Sequence, residues 1–282
     1  MIQTNYHIHS TYCDGQNSLS QMAAAAYQSG LNSIGFTSHA PLKYDNDWTM
    51  NSERLSDYFL EIAELKKKYF KKMHIFTGLE IDFYLDNFSI TPLAQSLLSK
   101  VDYWIGSIHC MGCLDNLKDA SIDYTMSTML KGINQCFDGN SKRLVETYYK
   151  GIAHLANNYS PDIIGHFDII KKNNVKNIFF NESESWYKNA WQNALDAIEA
   201  SHSIIEINTG GIARYGNRCL YPSFSILKEI IRRKIPITIT ADSHQIKNIN
   251  YGYSNLIPSL LTEAGVKQIM VFNGKKWVPH QI

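Results

Sequence analysis

Tyr6-His7-Ile8-His9 puts two imidazoles two residues apart inside the first apolar run of the chain. Alternate side chains of a strand point the same way, so His7 and His9 project from one face about 7 Å apart at their Cα atoms. At that spacing both can hold one metal ion. Further nitrogen and oxygen donors recur at the ends of later apolar runs. His39 closes Gly35-Phe36-Thr37-Ser38-His39, and Glu80 closes Gly78-Leu79-Glu80. His109 ends Gly106-Ser107-Ile108-His109, His166 follows Gly165, and Asp242 and His244 stand in Ala241-Asp242-Ser243-His244. Six of the ten histidines thus sit at or just beyond a predicted strand end, a concentration that points to a multinuclear metal site. The other four, His74, His154, His202 and His280, fall at strand starts, in a helix or at the terminus, and read as structural or exposed.

Two further groups of residues have two readings each. Asp14 before Gly15 is either a turn former or an added oxygen ligand in the loop after the first strand. Asp82 and Asp168 each lie two residues beyond a candidate ligand, where they either orient an imidazole or cap the surface.

The donors need elements that bring them together. Short apolar runs predict strands over 3–8, 33–37, 74–81, 103–108, 163–167, 204–208 and 235–240, with a weaker one over 268–272. Amphipathic stretches predict helices over 19–29, 52–72, 92–98, 142–157, 185–200, 223–232 and 254–264. Repeated βα units build a parallel sheet, and seven or eight of them close into a barrel whose C-terminal strand ends share one mouth. The competing open sheet would carry a Gly-x-Gly-x-x-Gly after a strand, and Gly210-Gly211 lacks that spacing. The expectation is α/β: a single distorted (β/α)7-type barrel over 1–282, its metal site at the C-terminal ends of the strands. The longest segment between strands is polar and contains methionines, and it reads as a lid or excursion around 110–140.

Composition narrows the function. The chain has 282 residues, 44% of them hydrophobic and 19% charged, enough for a sizeable core. A net charge of +1 provides no global field toward nucleic acid or an anionic membrane. Lys66-Lys67-Lys68 reads as a solvated helix face. No membrane span or signal-peptide pattern is visible, so the expected location is cytoplasmic. The five cysteines, Cys13, Cys110, Cys113, Cys136 and Cys219, fit reduced thiols. Cys110-x-x-Cys113 invites a zinc or redox reading but has no second cysteine pair.

Taken together, His7-Ile8-His9, Asp14-Gly15, Thr37-Ser38-His39-Ala40-Pro41, Gly78-Leu79-Glu80-Ile81-Asp82, Gly106-Ser107-Ile108-His109, Gly165-His166-Phe167-Asp168 and Ala241-Asp242-Ser243-His244 resemble the polymerase and histidinol phosphatase (PHP) superfamily of trinuclear metal phosphoesterases. Glu206-Ile207-Asn208-Thr209-Gly210-Gly211, with Arg214 and Tyr221-Pro222, is similar to its histidinol-phosphate phosphatase branch. Ser38 stands where relatives often carry an acidic residue. The resemblance implies three divalent metal ions: one on His7, His9, Glu80 and Asp242, a second on Glu80, His109 and His166, and a third on Asp14, His39 and His244. Nitrogen and oxygen donors of this kind suit zinc, manganese or iron.

The implied reaction is hydrolysis of a phosphate monoester, L-histidinol phosphate to L-histidinol and inorganic phosphate. Asp242 or His244 is the expected proton donor to the leaving group. Arg214 is either a substrate-binding phosphate clamp or a surface arginine. The segment from Tyr44 to Trp48 is either a pocket wall or a solvated loop. Another small phosphate ester, such as a nucleotide or sugar phosphate, is the competing substrate, and an inactive metal-binding scaffold the remote alternative. The partner expected is therefore a small molecule, with no nucleic acid and no membrane; oligomeric state is not written in the chain.

Overall fold

The computed structural model describes residues 2–44, 46–111 and 121–282. Among them, seven parallel strands run in sequence order: β1 (Thr4–Asn5), β2 (Ser33–Phe36), β3 (His74–Asp82), β4 (Tyr103–Ser107), β5 (Ile163–Ile164), β6 (Ile204–Asn208) and β7 (Ile237–Thr240). The ring is joined just past its end strands. Ile8 pairs in parallel with Ser243, the His9 N–H donates to the Ser243 carbonyl at 2.9 Å, and the Ser243 N–H donates to the His7 carbonyl at 3.0 Å. The Asn5 side chain spans the same seam, accepting from the Ala241 N–H at 3.1 Å and donating to Ser243 Oγ at 3.2 Å. His7 and His9 therefore follow a very short strand rather than ending a long one, and the seam itself holds them.

Helices cover the outside. They include α1 (Leu19–Gln28), α2 (Leu55–Lys68), α3 (Pro92–Leu97), α4 (Met126–Cys136), α5 (Ser141–Tyr159), α6 (Ser185–Ser201), α7 (Gly210–Tyr215), α8 (Phe224–Arg232) and α9 (Leu256–Ala264). Their starts follow local chemistry. Ser18 Oγ accepts from the Gln21 N–H while the Gln21 side chain accepts from the Ser18 N–H, so α1 begins with a reciprocal cap. In α5 the buried residues Leu144, Val145, Tyr148, Tyr149, Ile152, Leu155 and Ala156 recur at helical spacing, and that stripe faces the core.

The barrel interior is layered. Tyr6, Phe76, Tyr103, Ile105, Ile163, Ile204 and Phe272 form an apolar plug. Gly35 leaves room for it: a Cβ there would lie 1.8 Å from the Tyr103 hydroxyl, which instead donates to the Tyr6 carbonyl at 2.6 Å. One step further along the same strand faces the lining turns polar. Ser107 follows Ile105 on β4, Glu206 and Asn208 follow Ile204 on β6, and Glu80 follows Phe76 on β3. A polar mouth stands on an apolar base.

The expected strand over 268–272 forms, as β8 (Gln268–Phe272), but it does not join the barrel. It pairs antiparallel with β9 (Trp277–Gln281). This hairpin seals the base: Trp277 Nε1 donates to Asp162, just before β5, at 3.0 Å, and Thr238 near the start of β7 donates to the Met270 carbonyl at 2.9 Å. The helix expected over 52–72 splits into a 3-10 turn and α2, and it ends before Lys71, whose φ is +62°.

In the segment 110–140, residues 112–120, and with them Cys113, lie outside the described residues. The remainder contains a short antiparallel bridge between Cys110 and Ser121, and then α4. Cys13, Cys110 and Cys219 are free thiols, whereas Cys136 is disulfide-bonded, a departure from the all-reduced expectation. Among the described residues no helix is long and apolar enough to cross a membrane.

Candidate metal centre

The strand ends converge as the spacing predicts. Glu80 is buried at the centre and divides two sets of imidazoles between its oxygens. Oε2 lies 3.0 Å from His7 Nε2, 3.4 Å from His9 Nε2 and 3.1 Å from His39 Nδ1. Oε1 lies 2.9 Å from His166 Nε2 and 3.6 Å from His109 Nε2, and it accepts from Ser107 Oγ at 2.6 Å. Asp242 Oδ1 is 3.2 Å from His9 Nε2 and 3.8 Å from His7 Nε2. Asp14 is more exposed; its Oδ1 lies 3.7 Å from His9 Nδ1 and 3.8 Å from His39 Nε2, and its Oδ2 lies 3.2 Å from His244 Nε2.

Compact donor sets result: His7, His9 and Asp242; Glu80, His109 and His166; and His9, Asp14, His39 and His244. A further set joins His39, Asp82 and His109. His9 reaches two of these sets, which the spacing of residues along the chain does not reveal. His9 Nε2 and His39 Nδ1 are buried and lack a hydrogen-bond partner. Buried imidazole nitrogens left open toward carboxylates are what divalent cations require, so the donor set fits metal.

Outer partners aim these rings. His7 Nδ1 lies 2.9 Å from Glu206 Oε2, and His109 Nδ1 lies 2.9 Å from Asp82 Oδ1. Asp82 therefore orients His109. Asp168 instead pairs with buried Lys171 at 2.6 Å and accepts from the Ser223 N–H at 2.9 Å, holding the loop after α7. Glu206 was not among the expected site residues. It also accepts from the His166 N–H at 2.7 Å, from Asn208 Nδ2 at 2.8 Å and from Thr240 Oγ1 at 2.7 Å. Its two-residue step from Asn208 on an inward-facing strand was the available signal.

The backbone is strained at two donors, where φ is +42° at Asp242 and +21° at His166. Such conformations in non-glycine residues cost on the order of 1–3 kcal/mol each and persist only where neighbours enforce them. The Glu206 bond at the His166 N–H and the seam bonds either side of Asp242 do so here.

Charge is tightly coupled. Burial would raise the Glu80 carboxyl, but His7, His39 and His109 outweigh it and hold it well below its ordinary range. Asp242 behaves likewise, with burial overcome by Arg214 and His7. Burial alone would lower His109, yet Asp82 and Glu80 push it up to about 10. Burial, with His244 and His39 beside it, lowers His9 to about 3.

Arg214 sits on α7, formed where the Gly210-Gly211 turn leaves β6. Its Nη2 donates to Asp242 Oδ2 at 2.8 Å, and its Nη1 donates to the Asp242 carbonyl at 3.1 Å and lies 2.7 Å from His244 Nδ1. It lines a cavity of about 510 Å³ together with Asp14, Glu80, His166, Asp242 and His244. Trp48 also lines it, edge-on to His39 with ring centroids 4.8 Å apart, so the segment from Tyr44 contributes a wall; Asp45 lies outside the described residues.

The PHP domain family matches residues 5–210, which contain most of these donors. This chain belongs to the PHP family. PHP relatives match along almost the whole chain: the histidinol-phosphatase of Bacillus subtilis (strain 168) is 31% identical over 266 residues, covering 88% of this chain and 95% of that protein. A protein named "Probable histidinol-phosphatase" from Schizosaccharomyces pombe is 27% identical, covering 93% and 87%. The histidinol phosphate phosphatase of Lactococcus lactis subsp. lactis Il1403, solved with Zn, L-histidinol and phosphate, superposes with a TM-score of 0.71 at 20% identity over 98% of each chain. That likeness shows a shared fold.

Proposed function

We propose that this chain, read as one barrel domain, is a metal-dependent phosphatase that hydrolyses L-histidinol phosphate to L-histidinol and inorganic phosphate. The observation that carries this reading is Glu80, a buried carboxylate shared between two imidazole sets at the floor of a cavity, in a chain aligned over 88% of its length with a histidinol-phosphatase. Zinc, L-histidinol and phosphate in the Lactococcus lactis structure support both the metal and the substrate.

His7, His9 and Asp242 with Glu80 would hold one cation, Glu80, His109 and His166 a second, and Asp14, His39 and His244 a third. Zinc, manganese and iron fit these donors best. Bound divalent cations supply Lewis acidity, drawing charge from phosphoryl oxygens and making water a stronger nucleophile near neutral pH.

The protein's own groups do the rest. Asp82 and Glu206 fix which nitrogen of His109 and His7 faces the cavity. Arg214 holds Asp242 ionised, and its remaining N–H donors are available to a phosphoryl oxygen. A carboxylate held ionised is a poor proton donor, so Asp242 serves as a cation ligand, and His244, the more exposed of the two, could protonate the departing alkoxide only from a nitrogen that no cation holds. With Nδ1 of His244 accepting from Arg214, Nε2 has one role only, as a donor to a cation beside Asp14 or as a proton source.

The test is phosphate release from L-histidinol phosphate beside nucleotide, sugar and aryl phosphates, with bound metal quantified. Strong preference for L-histidinol phosphate, lost on chelation and restored by zinc, manganese or iron, is expected. Metal-dependent hydrolysis confined to other esters would discard the substrate.

A further inference from the structure

The donor sets use Asp14, Glu80 and Asp242, but they leave other charged groups on the cavity wall without a role. Asp123 and Lys172 are two of these. They belong to different parts of the fold. Asp123 follows Ser121 on the strand-like turn that pairs back to Cys110, where the Ile122 N–H donates to the His109 carbonyl at 2.8 Å. Lys172 follows β5 and the His166 turn.

Lys172 and its neighbour pin that turn against the mouth. The Lys172 ammonium donates to the Asp123 carbonyl and stacks over the Tyr215 ring at 4.1 Å, while Asn173 Nδ2 donates to the Ile122 carbonyl at 2.9 Å. The carboxylate is then aimed by its own turn: Ser121 Oγ donates to Asp123 Oδ1 at 3.0 Å, and the same hydroxyl accepts from the Tyr124 N–H at 3.0 Å. Asp123 Oδ2 stands 4.0 Å from Lys172 Nζ, beyond hydrogen-bond length, and so retains acceptor capacity toward the cavity. Tyr124, Tyr215 and Trp48 line the same space. A carboxylate set among aromatic rings suits an organic cation rather than a second phosphate.

We propose that Asp123 is a specificity-determining residue that accepts a hydrogen bond from the ammonium group of the substrate, with Lys172 and Asn173 positioning the turn that carries it. This rests on the phosphatase reading above and deepens it. The site would select phosphate esters that bear a cationic amine near the ester carbon.

The experiment compares the metal-loaded wild type with Asp123→Asn, Asp123→Ala and Asp123→Glu. The substrates are L-histidinol phosphate, its analogue lacking the amine, and p-nitrophenyl phosphate. Loss of one charge-assisted hydrogen bond should lower kcat/KM for L-histidinol phosphate by about 10- to 100-fold, chiefly through KM. The other two esters should be hydrolysed as by the wild type, the metal content should not change, and Asp123→Glu should recover part of the loss. An equal fall on all three esters, a loss of bound metal, or unchanged kinetics on the amine-bearing ester would each overturn the inference. The wild-type arm reads the underlying function by itself: if the enzyme hydrolyses aryl phosphate but ignores L-histidinol phosphate, the substrate reading fails and takes this inference with it.

Discussion

His7 Nδ1 lies 2.9 Å from Glu206 Oε2, and the opposite nitrogen of the same ring lies 3.0 Å from Glu80 Oε2. The ring is clamped between a carboxylate that aims it and one that belongs to the candidate metal centre. Burial would raise the Glu206 carboxyl, but the His7 imidazole against it holds it low. Glu206→Gln keeps the shape and removes the charge, so metal affinity should fall by about 10- to 100-fold, as for other outer partners of metal-bound histidines. Competition with a chelator measures it. An unchanged affinity would reduce Glu206 to a packing residue. Glu206→Ala should in addition lower thermal stability, because it strips partners from the His166 N–H, Asn208 and Thr240.

Metal binding should release protons. In protein stripped of metal, burial tends to lower His109, yet Asp82 and Glu80 raise it to about 10, so it carries a proton throughout the range from pH 6 to 9. A cation needs the neutral ring, and each ion bound there must displace that proton. Affinity should therefore rise with pH, by about tenfold per unit for one proton displaced. His9 works the other way: burial and its imidazole neighbours lower it to about 3, so it is neutral already and costs no proton. Calorimetry in two buffers of different ionisation heat reads the release directly. Equal heats in both would show that His109 is neutral before metal arrives.

The donors were legible in the sequence because a barrel turns chain position into direction. A histidine or carboxylate closing each apolar run must reach the common mouth, and His39, Glu80, His109 and His166 do so. Glu206 was harder to find: a glutamate in the middle of an apolar strand shows its parity, but not whether its partner is a metal, an imidazole or a lysine. The sharing of His9 between two donor sets depends on ring orientation, which spacing does not carry. The strand over 268–272 was legible as a strand, but its antiparallel partner across Asn273–Lys276 was not, because β9 is largely exposed and has little apolar pattern. α4 escaped for a related reason, since of its residues only Met129, Gly132 and Ile133 are buried.

The base of the barrel and its mouth should be separable. Phe272 is buried beside Tyr6, Phe76 and Tyr103, its ring 4.9 Å from that of Phe76. Phe272→Ala empties that plug and should cost about 3–5 kcal/mol of stability. The candidate metal donors lie at the other end of the strands, so metal content and kcat at 25 °C should stay at wild-type values. Chemical denaturation gives the first quantity, and phosphate release gives the second. Loss of bound metal in the folded variant would mean that the plug also sets the geometry of the site.

Asp242 and His244 lie on one turn and are read apart by leaving group. Asp242 Oδ2 is bound by Arg214 at 2.8 Å and Oδ1 lies 3.2 Å from His9 Nε2, so Asp242→Asn should weaken the first donor set and lower activity on every ester by more than about 100-fold. His244 is subtler, with Nε2 3.2 Å from Asp14 Oδ2 and Nδ1 2.7 Å from Arg214 Nη1. Arginine only donates, so Nδ1 accepts from it, and the cavity-facing chemistry of the ring rests on Nε2. If Nε2 holds a cation with Asp14 and His39, His244→Gln should lower the metal content by one ion per chain and slow aryl and alkyl phosphates alike. That is the expected outcome, since the imidazole completes the third donor set. If Nε2 instead gives its proton to the departing alkoxide, the variant keeps its metal and loses rate only on alkyl esters, because an aryl oxide leaves without a proton.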